Sequence, residues 1–390
     1  MNVDCPLDAF IGEMENLAGP YNTLIDVELT TSCTTGQMLK PLLQYCPKIR
    51  RLCLEGCTLD VVDAVDELYN DNLEIFAYNP GYEVTSLEEK DEEFYDGPRG
   101  LREIYTPNGG DGAQTDSFLR LLRKNQKSLQ TVYANTQMPE EQEAHGEPYP
   151  NFIPVYEEWY FERLQYLTYW PGAHNVVESM FLQSIKSCVA TSLRMFSAVD
   201  KPNIPMIVNT LIKSLPVEIL SFSHARFDDG NEYQRSSAIV QLFKYYAELS
   251  PSEKTLKEIW FNYCDFVTDD VLDILTEIKT ITRVNFTGKC TVPSDGSFLI
   301  FLQKMGHHLT EVMFADINHI GDDVLNVLCK MEHLKTVTLE LITEITEEGI
   351  KHLADNTRGL CSLNMEECIE LSDDSVSYIN ERVKNVKYVW

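Results

Sequence analysis

Residues 334–353, LKTVTLELITEITEEGIKHL, and residues 360–379, LCSLNMEECIELSDDSVSYI, share one pattern of apolar positions. Leu256 and Leu309 begin two further copies, and in all four copies apolar residues recur 3, 5, 8, 11, 16 and 19 positions after the first leucine. A weaker copy begins at Ile281, so successive copies start 25, 28, 25 and 26 residues apart. Self-similarity at a period in the twenties is typical of a solenoid.

Each copy has two halves with different periodicities. The first half alternates apolar and polar residues, which predicts a strand with one buried face. The second half opens with Thr, Ser or Gly and two acids, followed by apolar residues at helical spacing. Thr268, Thr346 and Ser372 are therefore candidate N-caps, and the acids suit the N-terminal end of a helix dipole. Since one unit cannot bury its apolar face alone, neighbouring units are predicted to stack into a continuous core.

The pattern L-x-x-L-x-L-x-x-C-x-x-I-[TS]-[DE]-x-x-L-x-x-L resembles the cysteine-containing leucine-rich repeats of the F-box/leucine-rich-repeat protein family, the relatives of ribonuclease inhibitor. Cys57, Cys264 and Cys368 occupy the family's cysteine position, and Ile317 and Ile342 replace it in other copies. The resemblance implies an α/β fold: a right-handed leucine-rich-repeat solenoid with parallel strands on the concave face and helices on the convex face.

The repeats extend over nearly the whole chain. We predict one solenoid of about thirteen repeats over residues 23–390, with residues 1–22 as an N-terminal cap or remnant. An apolar stretch at residues 239–249 predicts a helix. The regular spacing is interrupted by three long insertions, at residues 82–100, 136–162 and 223–252.

The N-terminus differs from the family. Residues 1–22 are too short for the family's three-helix F-box and do not match it. The chain is therefore either a stand-alone repeat protein or the repeat part of a longer one. The resemblance implies a substrate-binding role in a Skp–cullin–F-box ubiquitin ligase, with the ligase adaptor as a partner if an F-box lies upstream.

Charge and cysteine usage restrict the partners and the compartment. With 61 acidic against 32 basic residues the formal net charge is −29, which argues against binding nucleic acid or an anionic membrane surface. The 11 cysteines lack the spacing of a disulfide framework, so we expect buried free thiols in a reducing compartment. Without a signal peptide or a long apolar run, the sequence predicts a cytoplasmic or nuclear protein.

Residue patterns for catalysis are missing from the sequence. It contains no H-E-x-x-H, G-x-S-x-G or phosphate-binding loop, so we expect no enzyme and no cofactor. Cys53 should face the concave side of its strand, whereas Cys57 in the following turn should face the core, and His307, His308 and His319 lack partners at ligand spacing, so no metal site is expected. The repeated acid pairs are interpreted as helix starts.

The strand face directed away from the helices remains as a binding surface. The residue between the second and third apolar positions of each strand should point out of the core, and adjacent strands place these residues side by side. Aromatic residues, Met and Arg are enriched at interaction hot spots. The candidate protein-binding residues on this concave face are Tyr105, Tyr133, Tyr166, Trp170, Arg194, Trp260, Tyr263, Arg283 and Met313.

Two functions follow as hypotheses. The first is a non-enzymatic recognition scaffold that binds a protein partner on the concave face, similar to the substrate-binding part of a ubiquitin ligase receptor. The second is a stand-alone inhibitor or assembly scaffold that binds a basic protein, to which the acidity of the chain would steer it. An alternative for the aromatic residues is that they pack beneath the 136–162 insertion or are surface residues without a binding role.

Overall fold

The computed structural model describes residues 20–30, 34–58, 60–78, 98–106, 115–135, 161–170, 195–199, 204–212, 217–223, 232–250, 252–253, 255–288, 290 and 296–389. Most of the predicted insertions at 82–100 and 136–162, and the predicted cap at 1–22, lie outside the described residues. The chain forms two compact units, Met1–Leu193 (unit 1) and Arg194–Trp390 (unit 2).

Unit 1 alternates strands with helices. Its described elements are β1 (Asp26–Leu29), α1 (Gly36–Tyr45), β2 (Arg51–Leu54), α2 (Asp60–Glu67), β3 (Ile75–Tyr78), β4 (Glu103–Thr106), α3 (Thr115–Asn125), β5 (Thr131–Asn135) and β6 (Tyr166–Trp170). Strands β1 to β6 pair in chain order, and every pair is parallel. Helix α2 packs between α1 and α3.

Unit 2 repeats this order. Its described elements are β7 (Met195–Val199), α4 (Ile204–Leu211), β8 (Ile219–Ser223), α5 (Glu232–Glu248), β9 (Glu258–Asn262), α6 (Asp269–Leu275), β10 (Arg283–Thr287), α7 (Ser297–Met305), β11 (Glu311–Ala315), α8 (Asp322–Leu328), β12 (Thr336–Glu340), α9 (Glu347–Asn356), β13 (Ser362–Glu366), α10 (Asp373–Asn380) and β14 (Asn385–Val389). Strands β7 to β14 also pair in parallel and in chain order.

The core of unit 2 consists of the apolar repeat positions. In the four copies that begin at Leu256, Leu309, Leu334 and Leu360, every one of these positions is buried except Val376. Each buried aliphatic or aromatic side chain contributes about 1.5–3 kcal/mol. The parallel ladders and this core confirm the predicted α/β leucine-rich-repeat solenoid within each unit.

A residue in the left-handed conformation directly follows each of the strands β9 to β13. The residue seven positions after the first apolar residue has φ between 51° and 64° in five successive copies. Each of these residues donates its backbone N–H to the last carbonyl of the next strand, at 2.8–3.0 Å. The left-handed conformation therefore extends the ladder by one bond before the chain turns toward its helix. These residues are Tyr263, Gly288, Asp316, Leu341 and Glu367.

The predicted N-caps are partly confirmed. Thr346 accepts the Gly349 N–H at 3.0 Å and Ser372 accepts the Ser375 N–H at 3.3 Å. Thr268 occupies the N-cap position of α6 but makes no side-chain cap bond. Its hydroxyl lies 2.6 Å from that of Ser236 on α5 instead, so contact with a neighbouring helix replaces the cap.

Helix α5 begins seven residues before the apolar stretch that predicted it, at Glu232 instead of Ile239. Arg235 in this first part donates two hydrogen bonds to Asp265, at 2.8 and 3.3 Å, and both side chains are about 5% exposed. A buried ion pair extends the helix where the sequence has no apolar periodicity. Helix α5 packs between α4 and α6.

The repeat cysteines behave as small core residues. All eight cysteines of the described residues are free, and six of them are buried. The thiols of Cys264 and Cys368 donate to backbone oxygens of the preceding strand, at 3.4 and 3.2 Å. Burial raises the pKa of the Cys57 thiol to about 11. Cys361 is exposed, against expectation, because it precedes the buried part of β13. Within the described ranges no helix is long and apolar enough to cross a membrane.

Candidate functional site

The strand register of unit 2 places three predicted row residues side by side. Asn285 on β10 is the register partner of Trp260 on β9 and of Met313 on β11. Trp260 and Met313 are half-buried, whereas Asn285 is only 3% exposed. The two large side chains thus flank a short, covered amide. This group of residues on β9–β11, together with Glu258 and Arg283, is called the Trp260 face.

Glu258 fixes the indole of Trp260. The two residues are separated by one position of the same strand and therefore point to the same side. Trp260 Nε1 donates to Glu258 Oε1 at 2.6 Å, and Asn285 Nδ2 lies 3.4 Å from the same oxygen. The Glu258 side chain is 8% exposed, and a buried carboxylate requires such donors. The indole is consequently held in one orientation with part of its surface accessible.

Arg283 completes this network. Its Nη1 donates to Glu258 Oε2 at 2.9 Å, and its Nε lies 3.9 Å from Glu311 Oε2 on the next strand. Nearly half of the Arg283 side chain remains exposed. An arginine anchored on one side and open on the other can still contact a ligand with its guanidinium plane.

Tyr263 lies just beyond the end of β9. Its φ of 52° turns the ring toward Gly288, where an added Cβ would overlap the Tyr263 ring. Glycine at position 288 is therefore needed for this ring position. Tyr263 is half-buried, so part of this residue remains accessible just beyond the end of the strand that carries Trp260.

Two glutamates lie side by side at the carboxyl ends of β12 and β13, on the strand side that faces away from the core. Glu340 and Glu366 are register partners on β12 and β13. Burial, and secondarily the charge of Glu366, raises the pKa of Glu340, while Lys387 lowers it. Lys387 Nζ lies 3.6 Å from Glu366 Oε2. An additional cation at this pair would relieve the repulsion between the two carboxylates.

Unit 1 presents the predicted tyrosines in a second row. Tyr133 on β5 is the register partner of Tyr105 on β4. Tyr105 is half-buried and its hydroxyl donates to Glu103 Oε2 at 2.8 Å, whereas Tyr133 is only 7% exposed. Tyr166 is half-buried at the start of β6, and the backbone of Trp170 ends that strand. The Trp170 side chain and Arg194 lie outside the described residues.

The residues between the second and third apolar positions of the strands form a row that is more buried than the strand alternation predicts. Cys53, Ser197, Ser221 and Asn285 occupy outward positions, yet each is at most 8% exposed. Short side chains in such a row are covered by larger neighbours on the adjacent strands, as Asn285 is beside Trp260 and Met313. Alternation therefore identifies the side on which a residue lies, and the sizes of its neighbours determine its exposure.

Glu258 is the site residue that sequence reasoning missed. Its position two residues before Trp260 places it on the outward side, and this spacing is the signal that could have identified it. The pattern alone does not indicate a buried site residue here, because charged residues at strand starts are ordinarily solvated. Within the described residues no group of three or more potential metal ligands is found.

Comparisons with known proteins add little to this geometry. No family model matches the chain, and no curated protein matches it. A matching solved structure is described as the crystal structure of Rad7 and Elc1 complex in yeast, with 14% sequence identity, a TM-score of 0.49, and coverage of 99% of this chain and 83% of that chain. The class of protein, a leucine-rich-repeat solenoid, rests on the strand ladders and the repeat core.

Proposed function

We propose that this protein is a non-enzymatic recognition scaffold that binds a protein partner through the strand side of its repeats. The observation that carries the proposal is the Trp260 face. A partly exposed tryptophan has its indole N–H fixed by a buried carboxylate, and an arginine anchored to that carboxylate lies on the neighbouring strand. Tryptophan and arginine dominate interface hot spots, and a rigid side chain loses little entropy on binding.

The finer form of the proposal follows the sequence resemblance. The partner would be a substrate of a Skp–cullin–F-box ubiquitin ligase, delivered by a chain that carries these repeats. Tyr105 and Tyr166 in unit 1 would add contacts, as would Tyr263, Arg283 and Met313 in unit 2. Trp170 and Arg194 remain part of the proposed set, as does Tyr133, which lies beside Tyr105 on the neighbouring strand.

Quantitative affinity capture tests the binding proposal. The wild-type chain and Trp260→Ala would be expressed at equal levels in cells and their co-purifying proteins compared. Ile300→Ala is the matched control, because Ile300 is an exposed apolar residue on helix α7. We expect Trp260→Ala to lose a protein that both the wild type and Ile300→Ala retain. Identical partners in all three samples would contradict the proposal.

The ligase part is tested separately. The chain, extended by any coding sequence upstream of Met1, should co-purify with the adaptor subunit of a Skp–cullin ligase. Repeated failure to recover the adaptor, with the partner of the Trp260 face still bound, would refute the ligase part and leave the recognition scaffold intact.

The second candidate function is an inhibitor or assembly scaffold for a basic protein. The Glu340–Glu366 pair favours it, because two adjacent carboxylates with one nearby lysine provide a place for a cationic side chain. Binding of such a partner should weaken steeply between about 0.05 and 0.3 M salt. An affinity independent of salt would count against this alternative.

A further inference from the structure

One pocket of unit 1 is lined by three arginines, although the chain as a whole is strongly acidic. It has a volume of about 240 Å³ and lies before strands β2, β3 and β4. This volume is below that of sites for drug-sized molecules, so it suits a small ion or a single group of a larger ligand. It shares no residue with the Trp260 face. Its lining residues are Arg50, Asp71, Asn72, Glu74, Pro98, Arg99, Gly100 and Arg102.

Two of the arginines share one carboxylate. Arg50 donates to Glu74 through Nε at 2.8 Å and Nη2 at 3.2 Å, and Arg102 forms an ion pair with the same carboxylate from the other side. All three side chains are between 21 and 26% exposed. The Glu74 carboxylate thus bridges the two guanidiniums and holds them at one side of the pocket. Burial, and next the charge of Arg50, lowers the pKa of Arg102.

The turn that carries Arg99, the third arginine, is held by the side chains of Tyr69 and Asn125. Leu101 N donates to Asn125 Oδ1 at 2.9 Å, and the Tyr69 hydroxyl bonds to that same oxygen. Gly100 has φ +120°, and an added Cβ would lie 2.6 Å from Asn125 Oδ1. The backbone at Gly100 and Leu101 is thereby fixed, and it lies between the lining residues Arg99 and Arg102.

Arg99 also lines the pocket but takes no part in the ion pairs around Glu74. It is exposed and forms no ion pair with any described residue. Among the lining residues three guanidiniums stand against two carboxylates, those of Glu74 and the exposed Asp71, and the charge of Glu103 also acts on Arg102. At physiological ionic strength charges beyond about 8 Å are largely screened, so the net charge of the chain acts only weakly on the pocket.

We propose that this pocket binds a phosphate dianion, either free or as a monoester, held by Arg50, Arg99 and Arg102. Guanidinium groups match phosphate oxygens in planar, bidentate hydrogen bonds, and a phosphate monoester offers three acceptor oxygens and a charge near −2. Free phosphate and a phosphorylated side chain share this chemistry. The proposal does not rest on the function assigned to the Trp260 face.

Calorimetric titration of the full chain at pH 7.5 and about 0.15 M salt tests it, with inorganic phosphate as the first probe. We expect saturable binding that Arg99→Ala weakens by about tenfold, as loss of one charge-assisted hydrogen bond predicts. Arg358→Ala, which removes an exposed arginine from unit 2, should leave binding unchanged. Lowering the pH to 5.5 should weaken binding, because at that pH the phosphate is largely the monoanion while the arginines stay charged.

A second set of probes identifies the source of the phosphate. Tighter binding of the peptide acetyl-Gly-Ala-phosphoserine-Ala-Gly-amide than of inorganic phosphate would assign the pocket to a phosphorylated protein, and equal binding would assign it to free phosphate. The proposal is overturned if wild type shows no saturable binding of either probe. It is also overturned if Arg99→Ala binds as wild type does, or if acetate binds as tightly as phosphate.

Discussion

At the scale of single residues, Leu341 combines a strained backbone with an exposed side chain. Its φ is 54°, a conformation that costs a residue other than glycine roughly 1–2 kcal/mol. The side chain is 48% exposed, so burial returns little of this energy. The backbone N–H still bonds to the Glu366 carbonyl at 2.9 Å, and this bond does not depend on the side chain.

Replacing Leu341 by glycine should therefore stabilise the protein. The relief of strain exceeds the cost of glycine in the unfolded chain, which is about 0.5–1 kcal/mol, so we expect a gain of up to about 1 kcal/mol in the free energy of unfolding. Urea unfolding followed by circular dichroism measures it.

Thr343→Gly is the matched control, because Thr343 is exposed in the same loop and does not have a positive φ. That substitution should leave stability unchanged or lower it. An equal gain from both substitutions, or a loss from Leu341→Gly, would contradict the strain argument.

At the scale of helices and strands, the first acid of one helix supports the N-cap of the next. Asp322 Oδ1 accepts the Thr346 N–H at 2.8 Å, and Glu347 Oε1 accepts the Ser372 hydroxyl at 3.1 Å. Gly349 has no side chain because an added Cβ would overlap the Asp322 carboxylate. The repeated acids thus join successive repeats in addition to starting their own helices.

Glu347 makes this support dependent on pH. Hydrogen bonds from Lys351, then Ser375 and Ser372, lower the pKa of Glu347 from 4.5 to about 2. Because the folded pKa is the lower one, the stabilisation is complete above pH 4.5 and is lost as the pH falls toward 2. Glu347→Gln should therefore lower the melting temperature at pH 7, and its difference from wild type should shrink between pH 5 and pH 2.

Glu348→Gln controls for the loss of one negative charge, since Glu348 is the exposed neighbour and makes no hydrogen bond in the described structure. At pH 7 its melting temperature should fall less than that of Glu347→Gln, because only the interactions of Glu348 with the helix dipole and with Lys351 are lost. A constant difference between Glu347→Gln and wild type from pH 7 to pH 2 would show that the carboxylate has no such role.

The buried ion pair between Arg235 on α5 and Asp265 in the loop after β9 leads to a second prediction about how the elements are held together. Removing one partner leaves the other charge buried, so Arg235→Ala should cost about 3–5 kcal/mol in chemical unfolding. Replacing both by apolar residues, Arg235→Met with Asp265→Leu, should cost much less, because no charge remains buried. Equal losses in the single and double variants would point to packing instead of charge.

The sequence predicts regular elements well and side-chain networks poorly. The spacing of Leu334, Val337 and Leu339 identifies both the strand and its buried side, because alternation follows from strand geometry. The early start of α5 could not be predicted, since Arg235 and Asp265 are distant in sequence and meet only when the repeats stack. Glu258 was missed for a related reason: its burial depends on donors from the next strand.

At the scale of the whole molecule, the net charge of −29 affects stability. Self-repulsion destabilises a compact chain of such charge, and salt screens it. The melting temperature should rise with added sodium chloride, and most of the rise should occur below about 0.2 M, where screening becomes effective at distances near 10 Å. A steady increase continuing to 1 M would indicate general salt exclusion instead, and a decrease would contradict the argument.

The central claim is that the Trp260 face binds a protein partner, and the dissociation constant of that complex tests it most directly. For the partner recovered by affinity capture, Trp260→Ala should raise the dissociation constant measured by calorimetry at least about tenfold, as expected for a hot-spot tryptophan. Glu258→Gln, which weakens the anchoring of Trp260 and Arg283, should give a smaller increase, and Ile300→Ala none. A dissociation constant for Trp260→Ala within about twofold of wild type, where hot-spot losses are far larger, would contradict the claim.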